Sequence, residues 1–186
     1  MPCSPIPDWT RPEMPATRIE KPREFFDNVV TPDFQDLTAN RSDLRLAYHA
    51  CTSLLGLRDW VCHEHKSKPW SAQGKAQAPF AGRNDLQNAL GALNSNFDIV
   101  TDIANASKHM VLDSKRSRTA LWGNANTEVQ QIHGGAMASG PIAAAPIAGP
   151  PITRIVVKID QTYHDVFGCI SDVYMAYDQL MRDNSW

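Results

Sequence analysis

The sequence predicts an α+β, mainly helical fold: an antiparallel helical bundle with a small β-hairpin or sheet insertion before the C-terminal helix. Two observations carry this. Apolar residues recur at three- and four-residue steps over 32–65, 84–111 and 162–183, as one face of a helix requires. Between the second and third stretches, Ile155, Val157 and Ile159 alternate with Arg154, Val156 and Lys158, the two-residue period of a strand.

The 186 residues fit one domain. Residues 1–24 hold six of the 13 prolines, which fix extended backbone and remove amide donors, so they read as an N-terminal arm. Residues 25–186 are then a single helical-bundle domain with a β insertion over 115–161. Thr31-Pro32-Asp33 has the signature of a helix start, with threonine as cap and proline in the first turn. The stripe from Phe34 through Cys62 predicts helix over 32–65, with a break near Asn40–Ser42. Residues 66–83, with Pro69, Gly74, Pro79 and Gly82, read as a long loop.

Asn84 followed by Gln87 predicts a capped start to a second long helix, whose stripe runs Leu86, Leu90, Leu93, Phe97, Val100, Ala104 and Val111. Strands are expected at 118–122 and 128–132, around the turn Gly123–Asn126. Residues 134–151, GGAMASGPIAAAPIAGPP, offer too little large apolar surface for a core element and read as a loop. Thr162 and Asp165 resemble a capping box before a final helix that carries Tyr163, Val166, Phe167, Ile170, Val173, Tyr174, Tyr177, Leu180 and Met181 on one side.

A composition of 42% hydrophobic and 20% charged residues with a net charge of −2 gives no global attraction to nucleic acid or membrane. No apolar run approaches the roughly 20 residues of a spanning helix, so no membrane role is expected. Four cysteines without CxxC spacing, and no secretory leader, predict reduced thiols in a cytoplasmic protein. No GxSxG, Walker A or GxGxxG motif is present. His49, Cys62, His63, His65, His109 and His164 are possible ligands, yet His63-x-His65 sets its two rings about 200° apart on a helix, and no metal is expected.

One stretch stands apart. IANASKHMVLD, residues 103–113, puts Asn105, Lys108 and His109 near the end of the second helix. Asn105 and His109 are one turn apart beside the apolar stripe, while Lys108 projects close to the stripe itself, where a bare ammonium is costly. Arg58 and His65 interrupt the inward face of the first helix in the same way. Helix-end electrostatics explains part of this pattern, because cations complement the negative end of the dipole.

Ala104-Asn105-Ala106-Ser107-Lys108-His109 resembles the hallmark of the HEPN superfamily of small helical bundles, many of them ribonucleases: Arg, a polar residue, a short spacer, then His. Asn105 and His109 match, and Ala104 replaces the arginine. The resemblance implies metal-independent RNA cleavage without cofactor, in which His109 exchanges a proton and Asn105 orients a phosphate oxygen or the histidine. With Ala104 in place of the arginine, positive charge would come from Arg58, Lys108 or the run Lys115, Arg116 and Arg118; that run reads equally as a holder of the RNA backbone and as the solvated edge of a hairpin. The competing expectation is a non-catalytic helical scaffold that binds a protein partner or forms a homo-oligomer.

Overall fold

The structure, a computed structural model, describes residues 18–107, 127–134, 149–159 and 162–186. Among them the chain is α+β and mainly helical, as expected. It begins with α1 (Pro22–Phe25), a π-helical turn (Phe26–Val30) and α2 (Thr31–Ala39) in one continuous run. Pro22 opens it at the first helical position, and the Glu24 carboxylate accepts the backbone N–H groups of Glu20 (2.8 Å) and Lys21 (3.3 Å).

Helix therefore already runs within the stretch assigned to the arm, and Thr31 lies inside a helix rather than capping one. The reason is the π turn. Pro32 lacks an N–H and crowds the preceding turn, and the wider π spacing just before it absorbs that misfit.

The break near Asn40–Ser42 is present, with Asn40 leaving the helical region (φ −141°, ψ 79°). Asp43 restarts the chain: its Oδ1 accepts from Arg45 N (2.8 Å) and Leu46 N (3.2 Å) at the head of α3 (Leu44–His65). Ser67, in the left-handed region at φ 61°, ends that path. The expected loop over 66–83 contains a hairpin, β1 (Trp70–Ala72) and β2 (Lys75–Gln77). Gln73 and Gly74 join the strands with φ 52° and 71°, the paired positive values of a type I′ turn.

The second long helix is two. α4 (Arg83–Leu93) stops at Asn94, whose Oδ1 accepts the Asn96 N–H at 2.9 Å and so starts α5 (Asn96–Ala106). The cap assigned to Asn84 and Gln87 is also corrected: Gly82 precedes the helix, and the Asp85 carboxylate reaches back to Ala81 N at 3.2 Å.

β3 (Thr127–Gly134), β4 (Gly149–Ile159) and β5 (Thr162–Asp165) form an antiparallel sheet in the order β3-β4-β5, with Val129 opposite Ile155 and Val157 opposite His164. The strand expected at 128–132 is thus present and pairs with β4, whereas 118–122 lies outside the described residues. β4 extends the expected strand back to Gly149, into the end of the glycine- and alanine-rich stretch. Thr162–Asp165 is a strand rather than a capping box, and α6 (Val166–Asn184) follows it directly.

α3 is the central helix, packed against α1, α2, α4, α5 and α6. Leu57, Leu86, Leu90, Ile103, Ile170 and Tyr177 are fully buried at its contacts, and Ile155 and Val157 join the core from the sheet. Tyr174 closes the N-terminal helix onto α6, stacking on Phe34 at 4.2 Å and Phe26 at 5.0 Å, with its hydroxyl 3.2 Å from Thr31 Oγ1. No described helix is long and apolar enough to cross a membrane.

Candidate functional site

α5 is buried almost all round: Ile99, Val100, Thr101, Asp102, Ile103 and Ala104 are consecutive and inaccessible. Such a helix must satisfy its polar side chains inside the protein. Thr101 Oγ1 donates to Gln87 Oε1 at 3.1 Å, and Gln87 Nε2 donates to Asp98 Oδ1 at 2.9 Å. Gln87 itself is only 1% exposed.

Arg58 enters this network from α3. Its Nη1 donates to the same Gln87 oxygen at 3.2 Å, while Nε and Nη2 donate to Asp59 Oδ1 at 3.1 and 2.8 Å. The other Asp59 oxygen accepts from Arg83 Nη1 at 3.3 Å, so one carboxylate bridges two guanidinium groups. A guanidinium carries five N–H donors, and the described residues engage three of those of Arg58. Tyr177 lies close to this charge; burial nevertheless drives its phenol well above the ordinary tyrosine range and keeps it neutral.

Two open recesses flank Arg83. One, of about 440 Å³, is lined by Arg58, Gly82, Arg83, Asn84 and Asp85. The other, of about 360 Å³, runs past Asp59, Cys62, His63, Lys66 and Arg83. Arg58, Arg83 and Lys66 oppose Asp59 and Asp85, which leaves a small positive excess over an uncapped helix start.

Of the residues singled out in the sequence, Arg58 is thus fixed at the α3–α4 contact. Asn105 is half-buried on the last turn of α5, one turn beyond Thr101. Ala104, where the HEPN pattern has arginine, is 0% exposed, so a guanidinium at that position would have to leave the core. Lys108, His109, Lys115, Arg116 and Arg118 lie outside the described residues.

His65 does not join the Arg58 network; it stacks on Trp186 at 5.0 Å, and Trp186 in turn lies 6.1 Å from Trp70. Among the described residues no group of His, Cys, Asp and Glu is placed to hold a metal. Cys169 is held protonated by burial, its pKa pushed up to about 12, and burial pushes Cys51 higher still.

The sequence offered Gln87 only as a capping partner, and gave Thr101, Asp98 and Arg83 no role. A signal existed for the first two: Gln87 sits beside Leu86, and Thr101-Asp102 interrupts the apolar run Ile99-Val100…Ile103-Ala104. Searches against models of known families, curated proteins and solved structures return no match for the chain.

Proposed function

We propose that this chain is a HEPN-like helical module that binds single-stranded RNA, in the manner of an accessory member whose capacity for cleavage rests on His109. The observation that supports this reading is the Arg58–Gln87–Thr101 chain. It ties the arginine of α3 to α5, the helix that carries Asn105 and leads into Lys108-His109. The buried glutamine reaches α5 at Thr101, one turn before Asn105, and this link between the two helices is what supports the reading.

The backbone of the RNA would lie along the recesses at Arg83, where Arg58 is preset by its carboxylate and amide partners and Arg83 and Lys66 supply exposed positive charge. Binding rather than cleavage is the primary activity, because the position of the missing arginine is occupied by a buried methyl group and the stabilising charge must come from elsewhere.

The test is a gel-shift titration of labelled RNA in the presence of a chelator, followed by inspection of the same RNA for cleavage. Wild type is expected to shift the RNA, and Arg83→Ala combined with Lys66→Ala to weaken the shift about tenfold, with both proteins equally folded. Any cleavage should disappear in His109→Ala while the shift persists. Absence of a shift at low salt would discard RNA binding. It would favour a non-catalytic interaction module, a reading that the 49% exposure of Tyr163 at the sheet edge also favours.

A further inference from the structure

A separate recess of about 510 Å³ opens where the β1–β2 turn, the break at Asn94 and the last turns of α6 meet. Small side chains create it: Ala72 and Ala176 line it where larger residues would fill the space. Phe97 and Leu180 supply apolar wall, and the Phe97 ring is held edge-on by Tyr177 at 5.1 Å and 78°. The volume falls in the range of small-molecule sites, roughly 300–1,000 Å³.

Its electrostatics select among small molecules. Among the described residues Asp183 is the one ionisable group in the lining, and none there is basic. The Asp183 carboxylate accepts a hydrogen bond from Gln179 Nε2 at 2.6 Å, a neutral partner that orients the group and leaves its charge in place. Asn94 adds an amide at the rim, its oxygen already engaged by Asn96 N. A hydrophobic wall with a single carboxylate at its lip complements a molecule with an apolar body and one positive end.

We propose that this recess binds a small amphipathic cation, an ammonium group on an aryl or short alkyl body. The body packs on Leu93, Ala176 and the accessible edges of Phe97 and Leu180, and the ammonium faces Asp183. The site is independent of the RNA reading, since none of its lining residues belongs to the Arg58–Arg83 recesses.

Titration of the full chain with three probes of one shape tests this: phenylbutylammonium, phenylbutanol and phenylbutyrate, followed through backbone amide shifts. The expected order is cation, then neutral, then anion, with the cation favoured over the alcohol about three- to fivefold, as for a partly exposed ion pair. Shifts should centre on Ala72, Phe97, Ala176 and Asp183. Asp183→Asn, an exposed substitution that keeps the fold, should erase the cation's advantage and leave phenylbutanol binding intact. Ala176→Leu should abolish binding of all three. Equal binding of the three probes by wild type overturns the proposal. So do shifts centred elsewhere, absence of binding at millimolar probe, and occlusion of these amides by self-association.

Discussion

At the residue scale the Arg58–Gln87–Thr101–Asp98 network sets the spacing of α4 and α5, and Gly91 is the residue that lets Asp98 take its place. A Cβ at Gly91 would stand 2.6 Å from Asp98 Oδ2, too close for any side chain to tolerate unless the carboxylate moves. Gly91→Ala should therefore displace Asp98 from Gln87 and destabilise the protein by about 1–2 kcal/mol, although alanine is the better helix former by roughly 1 kcal/mol. In an Asp98→Ala background the same change should become stabilising. A double-mutant cycle measured by chemical denaturation checks this, and additive effects would show that the close approach is inconsequential.

Gln87 illustrates what a sequence conceals at this scale. Its position three residues after Asn84 matches a capping pattern, and only the tertiary contact with Arg58 and Thr101 reveals its role. Ala104 is the reverse case: its place in the apolar stripe of the second helix was legible, and it is fully buried.

At the scale of elements, periodicity located the helical stripes and the β4 alternation, because burial of one face imposes it. It left junctions inside a continuous stripe unmarked, unlike the polar break near Asn40–Ser42. The break at Asn94 keeps the buried stripe in phase on both sides, so Leu90, Phe97 and Val100 look like one helix. The strand β5 was hidden because four residues are too few for two-residue and helical periods to differ.

Two junctions make predictions. Tyr174→Ala removes the stack on Phe26 and Phe34 and the hydroxyl contact with Thr31, at a cost of about 2–4 kcal/mol. Hydrogen exchange should then speed up over 22–39 well before α3 and α5 are affected; uniform loss of protection would show that the N-terminal helix is not a separable unit.

The second junction joins the ends of α3 and α6 through His65 and Trp186. His65 Nε2 is buried without a hydrogen-bond partner among the described residues. Burial lowers the His65 pKa, with Lys68 reinforcing the shift and Glu64 opposing it. The unfolded chain then binds the proton first as pH falls through the ordinary histidine value of about 6.5, so this contribution is full above that pH and lost below it. Thermal midpoints should fall between about pH 7.5 and pH 5.5, and His65→Phe should flatten that part of the curve. An unchanged slope in the variant would remove His65 as its source.

At the scale of the whole molecule, the mainly helical α+β class was legible from three stripes and one strand, since the alternatives leave those stripes exposed. The candidate site was legible in outline only. Arg58 was recognisable as a polar interruption of an apolar face, but its partner Gln87 and the neighbouring Arg83 come from a segment read as cap and loop.

The proposed function requires that the Arg58–Arg83 face meet an RNA backbone as a preset cationic surface. The salt dependence of affinity for a labelled single-stranded RNA, measured by fluorescence anisotropy, tests it most directly. Three phosphate contacts from Arg58, Arg83 and Lys66 predict that log K falls with log salt at a slope of about −2, and that Arg83→Ala reduces the slope by about 0.7. Binding that ignores salt, or a slope that Arg83→Ala leaves unchanged, would contradict RNA binding at this surface.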